Sequence, residues 1–190
     1  MSSTVLRNAV FVLCLALMGS IPAMAAASKA QQQAEVRKTS QSVLNQLYRA
    51  KPSARAAVKA AVGYATFRNF GMKLFLAGGG GGSGVAVNNV TKKEVFMKML
   101  EVQAGLGFGI KKFSVVFIFE TESAFNEFVN SGWEFGGQAT AAATDGSSGG
   151  SYQGAVSVMP GVWMYQMTDK GLALEMTGKG TKYYKNDDLN

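Results

Sequence analysis

Acid–base chemistry in this chain would fall to carboxylates, because the groups that usually build zinc sites and nucleophile–base pairs are scarce. There is no histidine, and the single cysteine is Cys14. Of the 12 acids, the candidates for such work are Glu101, Glu120, Glu122, Glu127, Glu134, Asp145, Asp169 and Glu175. A general acid–base pair needs two carboxyl groups facing one cavity in unlike environments, and nothing in this spacing brings two together. Surface charge and helix capping are their ordinary roles. No acidic spacing resembles a calcium loop. The expectation is a protein without enzymatic activity, metal or cofactor.

Two glycine runs invite a phosphate-binding reading. A phosphate loop places Lys and then Ser or Thr after its last glycine, whereas Gly84 is followed by Val85-Ala86. Gly105-Leu106-Gly107-Phe108-Gly109 lacks the spacing and the strand-to-helix setting of a dinucleotide fingerprint. Close backbone approach explains such glycines better.

Charge supplies the remaining candidate chemistry. Lys and Arg number 19 against 12 acids, a formal net charge of +7. Six of these cations, Arg37, Lys38, Arg49, Lys51, Arg55 and Lys59, fall between residues 35 and 60 with Glu35 as the only acid. They flank an apolar stripe of Val36, Val43, Leu44, Leu47 and Tyr48 at helical spacing. Such a helix can lie on an anionic membrane surface, or dock its stripe on a sheet and leave its cations in water.

The elements that must hold these residues follow from periodicity. Ala26 to Gln33 reads as a frayed leader, Glu35 to Ala50 as a helix stopped by Pro52, and Ser53 as the cap of a short second helix. From Ala61 the pattern is β-like: Val62, Tyr64 and Phe67 begin it, Gly71–Leu76 reads as a second strand, and the glycines that follow separate that strand from Val85–Val87. From Phe96 to Ile110 every even position except Lys98 is apolar, while Gly105, Gly107 and Gly109 end the odd face. This predicts one long strand with its even face buried. Phe113 to Phe119 is apolar almost throughout, which predicts burial on both faces. Thr121 or Ser123 can cap a helix carrying Phe125, Phe128 and Val129 and ended by Gly132. Trp133–Thr144 reads as a strand, Val162–Thr168 and Leu172–Thr177 as a hairpin, and Lys179–Asn190 as a polar tail with Tyr183 and Tyr184 as its candidate anchors. Phe113, Phe117, Phe119, Trp133, Phe135, Trp163 and Tyr165 are core aromatics.

Residues 1–25 read as a secretory signal peptide. Arg7 makes the positive start, Ala9 to Ile21 the short apolar run, and Ala23-Met24-Ala25 the cleavage site. The mature chain is expected to begin at Ala26, with Ser28 as the alternative. Leu13 stands where a lipoprotein needs a small residue before Cys14, so no lipid anchor is expected. Residues 26–190 suit a single domain, with a helical region over 34–60 and a β-rich core over 61–185. Its expected place is the periplasm or the outside of the cell.

Residues from about Ala54 to Lys185 resemble the SYLF lipid-binding domain, which occurs in membrane-trafficking proteins, in yeast actin-patch proteins and in exported bacterial proteins. The segments that carry the resemblance are Ala65-Thr66-Phe67-Arg68-Asn69-Phe70-Gly71, Gly78 to Gly84 with Val85-Ala86-Val87, and Gln103 to Gly109. Phe117-Ile118-Phe119 with the Phe125 helix, and Lys170-Gly171-Leu172-Ala173-Leu174-Glu175, complete the succession. The resemblance implies an α+β fold: a mainly antiparallel, strongly curled, glycine-rich sheet or barrel-like core with N-terminal helices and one inserted helix. It also implies peripheral binding of anionic phospholipid in the bacterial envelope. Arg37, Lys38, Arg49, Lys51, Arg55 and Lys59 would be the headgroup contacts, with Val43, Leu44 and Leu47 inserting. No nucleic acid is expected, and no protein partner is specified. The alternative is an envelope structural or interaction protein whose helices dock internally or on another protein.

Overall fold

The first helix starts six residues before the apolar stripe would place it, because its start is set by a cap. Ser28 accepts from the Gln31 backbone N–H at 3.2 Å, and the Gln31 side chain accepts from the Ser28 N–H at 2.8 Å. This reciprocal capping box opens α1, Lys29–Ala50, so residues 29–33 are helical and not a frayed leader. A second helix, α2, Ala54–Ala60, follows Pro52; Ser53 precedes it without making a side-chain cap bond. The computed structural model describes residues 27–74, 77–104, 109–135, 152–169, 171–173 and 180–190.

Among the described residues nine strands follow: β1 Gly63–Leu74, β2 Ala77–Asn88, β3 Glu94–Ala104, β4 Gly109–Phe119, β5 Trp133–Phe135, β6 Val156–Met159, β7 Val162–Thr168, β8 Gly171–Ala173 and β9 Gly180–Lys185. They form one antiparallel sheet in the order β5-β9-β3-β2-β1-β4-β7-β6, with β8 paired to β7. A third helix, α3, Glu122–Ser131, connects β4 to β5. Its Thr121 side chain caps the Ala124 N–H, and Gly132 ends it at φ 69°, as the sequence predicts. The fold is α+β with a strongly curled sheet.

Ring positions measure the curl. Phe117 on β4 and Tyr183 on β9 lie four strands apart along the sheet order, about 19 Å in a flat sheet. Their ring centroids are 5.0 Å apart, and those of Phe67 and Tyr183 are 4.8 Å apart. The face carrying these rings is therefore concave, and α3 fills it with Phe125, Phe128 and Val129. On the convex face α1 and α2 pack Val43, Leu44, Leu47, Ala54, Ala57 and Val58. Phe113 to Phe119 is buried throughout, rings inward and Val116 and Ile118 toward the helices.

Four expectations are corrected by the pairing. The glycines 78–84 do not separate strands; they are part of β2, paired with β1 and β3 along its length. A Cβ at Gly84 would collide with the Thr66 carbonyl and the Phe67 ring, and one at Gly82 with the Arg68 carbonyl. The Phe96–Ile110 run is not one strand: β3 ends at Ala104, and Gly109 already belongs to β4, beyond the β2–β1 pair. Gly105 and Gly107 lie outside the described residues. Within β3 the inward face is the odd one, Val95, Met97, Met99 and Glu101, while Leu100 and Val102 are 48% and 59% exposed. Both faces of β3 begin apolar, so alternation defined two faces without saying which one the sheet would curl around. Finally, the segment read as a polar tail supplies β9, between β5 and β3, with Tyr183 buried. Of Trp133–Thr144, only the strand Trp133–Phe135 falls within the described residues.

Candidate functional site: a basic helical cover and a bare sheet end

Helix α1 crosses the convex face diagonally and is fastened to it at both ends. Val36 packs with Val85, Phe96 and Leu189 near β2 and β3. The Thr66 hydroxyl on β1 donates to Ser40 at 2.7 Å, and the Gln46 amide donates to the Thr168 carbonyl at 3.2 Å. Between these, Val43 and Leu47 are fully buried and Leu44 nearly so, against Val116, Ile118, Tyr165 and Met167. Of the two readings of the stripe, docking on the sheet describes this structure. Burying three such side chains contributes about 1.5–3 kcal/mol each, which holds them away from any external surface.

The cations point the other way. Lys38, Arg49, Arg55 and Lys59 are exposed. Arg37 donates to Glu94 at 2.7 Å and stands 5.0 Å above the Phe96 ring. Lys51 donates to the Gln153 side chain at 2.5 Å, and the Arg55 guanidinium stands 4.5 Å over the Tyr48 ring. Burial, above all, raises the pKa of that phenol, with Tyr64 adding and Arg55 opposing. Among the described residues, Lys38, Arg49, Lys51, Arg55 and Lys59 have no carboxylate partner. The turn from α1 into α2 thus concentrates Arg49, Lys51, Arg55 and Lys59 with their charge unneutralised.

The carboxylates are scattered, with one exception to the surface role expected of them. Glu122, Glu127, Glu134 and Asp169 are exposed, and Asp145 and Glu175 lie outside the described residues. Glu120 accepts from Tyr152, whose phenol is pushed up to about 12, first by burial and then by that bond. Glu101 is fully buried inside the curl, where the Asn69 side-chain amide donates to it across β2. Tyr183 lies close enough that Glu101 adds to the rise in phenol pKa which burial causes. The β2 glycines make this reach feasible, since no side chain stands between β1 and β3. Asn69→Ala is expected to lower stability by about 1–3 kcal/mol, the cost of removing a donor from a buried acceptor; urea unfolding of the two proteins measures it. No group of three or more His, Cys, Asp and Glu residues that could hold a metal ion occurs among the described residues. No described helix is long and apolar enough to cross a membrane.

At the end of the convex face that α1 leaves uncovered, Phe70, Leu100 and Val102 are about half exposed. Sequence periodicity assigned the even side chains of β3 to the core. The signal that would have exposed them is the pairing of Phe70 with Gly81 and of Gly81 with Leu100, which no single-strand pattern contains.

The structure is thus a curled antiparallel sheet braced by helices, with separate charged and apolar surface areas. Residues 100–190, from β3 onward, match the model of the Ysc84 family, described as Las17-binding protein actin regulator. Over 150 residues the chain is 34% identical to Beta cell expansion factor A of Aeromonas veronii, covering 77% of this chain and 54% of that protein. The chain belongs to the SYLF (Ysc84) family. That family is one of binding and regulatory proteins, with lipid binding among its general properties. The chain spans about half the length of the Aeromonas relative.

Proposed function

We propose that this protein is a non-enzymatic, peripheral binder of anionic phospholipid in the bacterial cell envelope, exported by cleavage of residues 1–25. The observation that carries the reading is the α1–α2 turn, where Arg49, Lys51, Arg55 and Lys59 stand without carboxylate partners among the described residues. A cation near an anionic lipid surface contributes about 1 kcal/mol, within a screening length of about 8 Å at physiological salt. Together with Lys38 and the Glu94-paired Arg37, these residues form the headgroup-contact set. Val43, Leu44 and Leu47 contribute by holding α1 in place, and would enter lipid only if the helix left the sheet. No metal, cofactor or nucleic acid enters the proposal.

The second reading, an envelope structural or interaction protein, is favoured by the docked stripe, since a helix so anchored serves equally as a brace. Replacing Lys51 and Arg55 by Glu tests between them. Sedimentation with anionic liposomes at low salt is expected to fall sharply while melting is unchanged. Leu47→Ser is expected to lower the melting temperature, because it empties a fully buried site. If the charge reversals leave liposome binding intact while Leu47→Ser lowers melting, the helix is a brace and the scaffold reading replaces lipid binding through the α1–α2 turn.

A further inference from the structure

The bare end of the convex face combines two features that the fold does not need. The first is a trough. Gly79 and Gly81 occupy outward positions of β2, and a Cβ at either would meet nothing closer than a carbonyl oxygen of β3, at 3.5 Å and 3.9 Å. At Gly82 and Gly84 close packing excludes a side chain, whereas here the space above the backbone is open. Register sets Phe70 on one side of Gly81 and Leu100 on the other. Two strand spacings, about 10 Å, separate these walls. Val102 extends the β3 wall, opposite Gly79 in the register.

The second feature is the sign of the charge around the trough. Arg68, Lys112 and Lys182 are exposed and Lys98 partly so, with the Lys112 ammonium 5.8 Å over the Phe70 ring. The described outward positions of β9, β3, β2, β1 and β4 beyond α1 carry no carboxylate. Acids reach this region from outside those strands: Asp188 pairs with Lys98 at 2.7 Å, and Glu35 of α1 and Asp169 after β7 line the grooves on either side of Gly81, so the cations outnumber them only on the strands themselves.

We propose that this bare sheet end is a membrane-contact surface that sets Phe70, Leu100 and Val102 into the interfacial layer of an anionic phospholipid bilayer, with Arg68, Lys112 and Lys182 at the headgroups. The proposal rests on the lipid-binding reading and supplies the apolar contact that α1, with its stripe docked, does not. Charge complementarity selects the occupant. A second copy of this face would set like charges against each other, and a soluble polyanion would leave three apolar side chains in water. An anionic bilayer satisfies both halves, because hydrocarbon lies directly beneath its charged surface. Half-exposed apolar side chains lose little on replacement, so the surface can be altered without unfolding the sheet.

The test uses the full protein and vesicles of phosphatidylglycerol in phosphatidylcholine, with pure phosphatidylcholine as reference. Phe70→Ser with Leu100→Ser and Val102→Ser is expected to keep the parent's melting temperature and oligomeric state. Binding that persists at high salt is expected to fall about tenfold or more, the scale of losing buried apolar area. Lys112→Glu with Lys182→Glu, at exposed positions, provides a second variant should the serine protein melt early. It is expected to weaken low-salt binding and leave binding to phosphatidylcholine unchanged. Parent-like binding by both variants overturns the sheet-end surface while leaving the lipid reading standing, provided Lys51→Glu with Arg55→Glu still loses binding. A change in oligomeric state without a change in vesicle binding also overturns it, assigning the face to self-association. If the parent itself ignores anionic vesicles, the lipid reading falls and this surface with it.

Discussion

Gly84→Val is expected to lower the stability of the protein by about 3 kcal/mol or more, although valine is a far better strand former than glycine. The Cβ would run into the Thr66 carbonyl and the Phe67 ring. Neither can yield: Thr66 is on the strand paired with β2, and Phe67 is packed edge-on against the Phe117, Phe128 and Tyr183 rings. Gly81→Ala supplies the contrast. Its Cβ meets only the Met99 carbonyl oxygen, at an ordinary 3.9 Å, so that protein is expected to melt within about a degree or two of the parent or above it, since alanine costs the unfolded chain less entropy. Urea denaturation of the two variants beside the parent measures the difference. Equal stabilities would mean that β1 does not lie over Gly84, and the account of the curl would fail.

Phe117→Ala is the substitution expected to cost most in the interior, about 3–5 kcal/mol. The ring stands where β1, β4, β5, β9 and α3 converge. Its centroid is 5.0 Å from Tyr183, 5.4 Å from Phe128, 6.0 Å from Phe135, 6.2 Å from Phe67 and 6.3 Å from Trp133. No neighbour can collapse into the space, because each is held by its own strand or helix. Such a loss is a large share of the 5–15 kcal/mol that typically separates folded from unfolded chains. Trp163→Ala, on the convex side where Trp163 stacks on Tyr152 at 4.7 Å, is expected to cost less, since Trp163 is only partly buried. A smaller effect at Phe117 than at Trp163 would show that the concave cluster is not the centre of the fold.

Several elements were legible from the chain alone because their signals are local. Thr121 and Gly132 bracket α3 through bonds to their own neighbours, and the spacing of Val43, Leu44 and Leu47 states that one side of α1 must be covered. The nearly unbroken apolar run Phe113–Phe119 requires cover on both faces, which α1 and α3 supply. The succession of glycine and apolar segments carries the resemblance to the SYLF family in the sequence itself. What local pattern could not carry was every decision made by distant pairing. Alternation along β3 separates two faces, but only the curl around Phe117 and Tyr183 turns Met97, Met99 and Glu101 inward and leaves Leu100 and Val102 outside. The glycines of β2 look alike in sequence, yet Gly84 lies under the Phe67 ring while Gly81 faces open space. Tyr183 belongs to a polar segment that becomes a strand only because β3 and β5 offer free edges to it. Residue type determined which surfaces needed cover; tertiary structure decided which received it, because strand partners far apart in the chain set both the register and the direction of curl.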